Sequence, residues 1–145
     1  MAPADLAADV ALVARALARL GFVHAFGHVS ARAEGRVLLT PTAPPLGGLA
    51  AGDVLELDRE GWVLRGVEGN RPLEAALHLA VYEARPEVGA ICRVQAPAIA
   101  AHATLGAGPP LLHGFGGMVE PVARWDDPDL VGSPWYAGNR AELRW

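Results

Sequence analysis

The sequence predicts an α/β domain, and three observations predict it. Apolar residues recur at helical spacing in two separate stretches, short apolar or alternating runs fall between them, and glycine or proline punctuates most junctions. At 145 residues, with 52% apolar and 19% charged residues, the chain is long enough for one core and too apolar to stay disordered. No repeat, linker or low-complexity segment divides it, so 1–145 reads as a single domain of layered helices and strands.

The elements follow in order. Residues 5–20, DLAADVALVARALARL, set Leu6, Val10, Val13, Leu17 and Leu20 at spacings of four and three, an amphipathic helix that Asp5 can cap and Gly21 can end. FVHAFGHVSAR leads into RVLLTP, a short strand closed by Pro41, and the loop TAPPLGGLAAGD carries too much proline and glycine to continue a ladder. VLELD and GWVLRG, separated by Arg59-Glu60, form a hairpin. Residues 72–84, PLEAALHLAVYEA, form a second helix with Pro72 in its first turn, and Leu73, Leu77, Ala80, Val81 and Ala84 make its expected buried side before Arg85-Pro86 stops it. VGAICRV reads as a buried strand, APAIAAHATLG as a short helix, and PPLLHGFGGMVEPVARW as a strand broken by glycines. From Asp126 to Trp145 periodicity is lost, an atypical tail whose Trp135, Tyr136 and Trp145 favour burial over the core or at an interface.

Composition excludes several chemistries. All twelve basic residues are arginine, so the chain offers no lysine for a Schiff base or a P-loop. Ser30 and Ser133 are its only serines and neither stands in a G-x-S-x-G elbow. A net charge of -4 with scattered arginines argues against a nucleic-acid partner, and the absence of an apolar run of about 20 residues argues against a membrane. Cys92 is alone, which rules out an internal disulfide and, with no leader-like segment, makes the cytoplasm the expected location.

Three constellations carry chemistry. In GHVSAR, Gly27 lets a ligand approach the backbone while His28, Ser30 and Arg32 offer donors at alternate positions, as an anion site requires; a polar turn between helix and strand has the same composition. Glu74 and His78 stand one helical turn apart, where a carboxylate and an imidazole form either a tuned acid/base couple or an ordinary exposed pair. In VGAICRVQAP, Arg93 and Gln95 lie two apart and so share a strand face at its end. His113, followed by glycines, and His102 read as turn and helix-surface residues.

The order GHVSAR, VLLTPT, DVLELDREG and RPLEAALHLAVYEARPEVGAICR followed by AP resembles the class II aldolase/adducin family over roughly residues 6 to 120. AFGHVSAR, AICR and LLHGFGG are most similar to the branch that includes decarboxylases of hydroxylated aromatic or pyridine carboxylic acids. The resemblance implies a single-domain, three-layer fold with a mixed, largely antiparallel central sheet flanked by helices, assembled as a homo-oligomer with sites between subunits. It also implies that Glu74 is the acid/base residue, that Gly27 to Ser30 and Thr40 to Ala43 are the substrate-anion loops, and that Arg93-Val94-Gln95 replaces a His-x-His metal pair. A third metal histidine belongs to a segment that this chain, ending at Trp145, is expected to lack; Pro72 and Leu73 replace hydroxyl residues, which weakens phosphate binding.

Those departures shape the functional expectation. Arginine stays protonated and glutamine supplies only an amide oxygen, so no cofactor is expected through the family's own ligands. Manganese, zinc or iron would have to bind through His24, His28, His78 or His113. The expected activity is a carbon–carbon lyase acting on a small hydroxy-carbonyl or hydroxyaryl carboxylate, by C–C cleavage or decarboxylation, with Glu74 and Arg93 catalytic. Gly27, His28, Ser30, Thr40, Thr42, Arg71 and Gln95 would bind the substrate. The alternative is a catalytically inactive, adducin-like binding or assembly domain.

Overall fold

The computed structural model describes residues 3–104; the expected strand and tail beyond them, with His113, lie outside the described residues. The described chain runs α1 (Pro3–Arg19), β1 (His28–Ala33), β2 (Arg36–Leu39), β3 (Leu55–Leu57), β4 (Val63–Arg65), α2 (Ala75–Ala84), β5 (Ala90–Arg93) and α3 (Pro97–Thr104). The α/β class holds, and the five strands form one sheet in the order β4-β3-β2-β1-β5, each pair antiparallel.

Local chemistry explains the boundaries. Gly21 takes the left-handed conformation at φ 73, its N–H bonds Ala18 O, and Phe22 N–H bonds Leu17 O, which satisfies the last carbonyls of α1. Asp5 lies in the first turn of α1 rather than capping it, because the helix begins at Pro3. Between β1 and β2, Glu34 and Gly35 both have positive φ, the two-residue turn whose twist matches an antiparallel hairpin. Asp58 Oδ1 accepts the Trp62 N–H at 2.8 Å and closes the β3–β4 turn. Thr40 extends the β1–β2 ladder by one step: its N–H donates to Val29 O, and its hydroxyl oxygen accepts the Val29 N–H at 3.1 Å.

Strand alternation sorts the core into two clusters. Val29, Ala31 and Leu38 pack with Leu6, Ala7, Val10, Ala11 and Ala14 of α1, and Val37, Leu39, Leu55 and Leu57 pack with Ala75 and Tyr82 of α2. Both expected helix faces are corrected. On α1, Val13 and Leu20 are exposed and the buried stripe runs through the alanines, whose small side chains let the helix lie close to the sheet. On α2, the buried residues are Ala75, His78 and Tyr82, while Leu73 is 74% exposed and Ala84 is exposed too. Burial there is settled by hydrogen bonds to polar groups, which a count of apolar residues does not register. The strand expected to be buried, β5, is instead half exposed, since among the described residues it lies at the edge of the sheet.

Candidate active site

The site forms where β1, β5 and the start of α2 meet. Antiparallel pairing sets His28 directly opposite Arg93, two residues far apart in the chain. Glu74, in the turn that begins α2, places its carboxyl between them: Oε2 lies 3.9 Å from His28 Nε2 and Oε1 lies 3.9 Å from an Arg93 guanidinium nitrogen. These separations exceed a hydrogen bond and leave electrostatic contact. The Glu74 side chain retains 17% exposure and that of Arg93 29%, so both are reachable. Arg93 is steadied from behind by donation to Phe26 O.

Behind this trio lies a buried polar network. Ser30 Oγ is 2.7 Å from His78 Nδ1 and 2.8 Å from Tyr82 OH. The His28 and His78 rings meet edge to face, centroids 6.0 Å apart at 84°. Burial lowers the proton affinity of His28; Glu74 opposes this and Arg93 reinforces it. Burial also takes His78 down to about 4, helped by His28 and Arg93. Both imidazoles are therefore neutral near pH 7, each with one donor and one acceptor nitrogen. Burial raises Tyr82, against the Ser30 hydrogen bond and the Arg32 charge, and Cys92 raises it further, so the phenol keeps its proton.

The expected anion loops converge on one cleft of ≈ 290 Å³, lined by Gly27, His28, Thr42, Phe26, Pro44 and Pro45 among others. His28 belongs to both the cleft and the Glu74 trio, and exposed His24 also lines the cleft. Gly27 is required by space: a Cβ there would sit 2.4 Å from Val23 Cγ1.

Other expected site residues fall elsewhere. Glu74 and His78 do not form a couple; Glu74 faces His28 and Arg93, and His78 faces Ser30. The Thr40 hydroxyl serves the sheet, and the Thr42 hydroxyl donates to Asn70 O at 3.3 Å. Arg71 is exposed and pairs with Glu68 at 3.1 Å, and Gln95 is exposed beyond the end of β5. Arg32 is engaged away from the trio: it donates to Tyr82 O, Arg85 O and Pro86 O at the end of α2 and covers the Tyr82 ring at 5.0 Å. Tyr82 is the residue the sequence reading passed over. Its signal was the continuation of Glu74 and His78 by one further helical turn.

Among the described residues no group of three His, Cys, Asp or Glu side chains could hold a metal ion. Arg93, a fixed cation against Glu74, is the wrong donor type for one. The described residues do not fit the metal. No helix among them is long and apolar enough to cross a membrane.

Comparison with known proteins agrees with this architecture. The chain is 38% identical over 86 residues to methylthioribulose-1-phosphate dehydratase of Gluconacetobacter diazotrophicus, covering 57% of this chain and 41% of that protein. It is 42% identical over 66 residues to 3-oxo-tetronate 4-phosphate decarboxylase of Haemophilus influenzae, covering 45% and 30%. Among solved structures, L-fuculose 1-phosphate aldolase from Glaciozyma antarctica PI12 superposes with a TM-score of 0.63 at 30% identity, over 74% of this chain and 46% of that one. YgbL from Klebsiella pneumoniae gives 0.64 at 25% identity, over 70% and 49%. These matches span less than half of each relative's length. Residues 8–133 match the model of the class II aldolase and adducin N-terminal domain, and the chain belongs to that family.

Proposed function

We propose that this domain, on the family's three-layer α/β scaffold, is a carbon–carbon lyase acting on a small hydroxy-carbonyl or hydroxyaryl carboxylate, by C–C cleavage or decarboxylation, without the family's usual metal site. One observation carries the reading: Glu74 is held, partly exposed, between the neutral imidazole of His28 and the guanidinium of Arg93. Breaking the bond to a carboxyl carbon that leaves as CO2, or to a carbinol carbon that loses its hydroxyl proton and leaves as a carbonyl, puts an electron pair on the carbon left behind. That carbon needs a fixed positive charge nearby and a proton donor. Arg93 supplies the charge at the place where the resembling aldolases carry a metal histidine, and Glu74 gives or takes the proton. The substrate body fits the cleft of Gly27, His28 and Thr42, whose Phe26 and proline walls suit an apolar or ring-shaped group. We also read the domain as a cytoplasmic homo-oligomer; Leu73, Val67 and Trp62, each more than 60% exposed, support a protein partner such as another copy.

The test is turnover of a panel of hydroxyaryl carboxylates and hydroxy-carbonyl acids, followed by CO2 release and loss of substrate absorbance. Glu74→Gln is expected to lower kcat by about 10² to 10⁴-fold with an unchanged circular dichroism spectrum. Equal turnover in the variant removes Glu74 from the chemistry. Arg93 in the place of a metal ligand also favours a second reading, an inactive binding domain. Under that reading no member of the panel is turned over, and the natural protein and Glu74→Gln bind these acids alike.

A further inference from the structure

Two nitrogen atoms in the site are buried and have no hydrogen-bond partner among the described residues: His28 Nδ1 and His78 Nε2. They belong to the two rings that meet edge to face; His78 is hydrogen-bonded to Ser30 through its other nitrogen, and His28 turns its other nitrogen toward Glu74 at 3.9 Å. Buried orphans are uncommon, and two on adjacent rings call for one explanation.

Proton counting supplies it. Ser30 Oγ is fully buried and has one hydrogen for two neighbours. Among the described residues the only hydrogen-bond partner of the Tyr82 hydroxyl is Ser30, so the phenol, the better donor of the two hydroxyls, gives its proton to Oγ. Ser30 then gives its own proton to His78 Nδ1, which leaves the His78 hydrogen on Nε2. Were both neighbours to donate to Oγ, its own hydrogen would have no acceptor among the described residues, at the cost of an unmade bond. At the far end, Glu74 faces His28 Nε2 and favours the proton there, which leaves Nδ1 as a lone pair. The two orphans thus become a donor, His78 Nε2–H, and an acceptor, His28 Nδ1. They are complementary whether they meet directly or across one water.

We propose that Tyr82, Ser30 and His78 form a directional hydrogen-bond chain that fixes the proton of His28 on Nε2, the nitrogen facing Glu74, and so act as positioning residues of this site. The two hydrogen bonds point from Tyr82 O–H to Ser30 and from Ser30 to His78, and the looser contacts beyond them, His78 toward His28 and His28 toward Glu74, keep the same donor-to-acceptor order. His28 thereby presents a donor to Glu74 and stays neutral beside Arg93. The proposal rests on the Glu74 reading above for its catalytic meaning, but its geometry can be measured without turnover.

The experiment is a two-bond ¹H–¹⁵N correlation spectrum of the ¹⁵N-labelled full chain at pH 7, its five histidines assigned by single replacements. His78 and His28 are both expected as neutral Nε2–H tautomers. In Tyr82→Phe, and more so in Ser30→Ala, His78 is expected to become a tautomer mixture and the Nε2–H fraction of His28 to fall. Where a panel substrate is turned over, Tyr82→Phe should lower kcat about tenfold with KM unchanged, less than the loss for Glu74 itself. A natural protein with His78 protonated on Nδ1 overturns the chain's direction, and a His28 tautomer indifferent to both variants overturns the coupling. Zinc or manganese that shifts His78 Nε2 and His28 Nδ1 together at one equivalent also overturns it, by making the orphans metal ligands. Should Ser30→Ala fail to fold, the natural spectrum and Tyr82→Phe decide alone. Tautomers as expected with no turnover would sink the lyase reading and leave this one standing.

Discussion

The two faces of the sheet solve burial in opposite ways. Against α1 the core is apolar: Leu6, Ala7, Val10, Ala11 and Ala14 meet Val29, Ala31 and Leu38, and Arg15 donates to Leu49 O at 2.6 Å beside them. Against α2, buried Ser30, His78 and Tyr82 form a hydrogen-bonded group beside Leu39, Leu55 and Leu57, and His28 is buried at its end. β1 belongs to both, since Val29 and Ala31 point one way and His28 and Ser30 the other. The difference teaches where stability and chemistry are kept: one face holds β1 in place at any pH, and the other makes it answer to protons.

The largest expected effect breaks the first face. Leu38 is fully buried on β2, the strand hydrogen-bonded to β1. Leu38→Ala should cost about 2 to 5 kcal/mol in a urea titration, through lost transfer energy and the cavity left behind. The loss should be the same at pH 7 and pH 5, because no titratable group lies in that cluster. A loss that grows at pH 5 would mean that the two faces are coupled through β1.

Acid should strain the second face instead. Burial holds His78 at about 4 against its ordinary 6.5. Between those values an unfolded chain takes up a proton that the folded chain refuses, so stability is complete above pH 6.5 and falls as the pH drops toward 4. The fall is about 2 kcal/mol by pH 5 and about 3 kcal/mol by pH 4. His28, lowered by the same burial, adds in the same direction. Urea midpoints at a series of pH values should show this slope in the natural protein and in Leu38→Ala, and a weaker slope in His78→Gln. A flat profile between pH 7 and pH 5 would mean that His78 is wetter than its burial implies.

The sequence made the first face partly legible and the second hardly at all. Within the described residues the order of the other elements, the stop of α1 at Gly21 and the stop of α2 before Arg85-Pro86 follow from local backbone chemistry and stand in the structure, whereas GHVSAR, whose composition fits a polar turn, forms most of strand β1. The facing of both helices does not follow, for two reasons. On α1 the stripe was drawn through large residues, although Ala7, Ala11 and Ala14 are the ones that fit closest to the sheet. On α2 the inward residues include His78 and Tyr82, which earn burial only because Ser30 reaches them from β1. Long-range pairing hides the site in the same way: His28 and Arg93 face each other only after β1 and β5 align. Glu74 is singled out by its spacing from His78, and the family resemblance gives it its acid/base expectation, but its neighbours His28 and Arg93 are brought to it only by the fold.

Two smaller effects sharpen the contrast within the α2 face. Ser30→Ala removes the hydroxyl that serves both neighbours and leaves Tyr82 OH and His78 Nδ1 buried without it. The expected cost is about 1 to 3 kcal/mol, the desolvation of stranded polar groups. Tyr82→Phe removes one end of the chain, leaves the Ser30 to His78 bond intact and should cost nearer 1 kcal/mol. The two changes touch one network and should not add: once Ser30 is alanine, the Tyr82 hydroxyl has no partner to lose, so Tyr82→Phe in that background should be neutral or mildly stabilising. Strict additivity of the two costs in urea titrations of the single and double variants would show that Ser30 and Tyr82 do not share a proton. The α2 face would then be a set of separate polar contacts, and the directional chain to His28 would lose its first link.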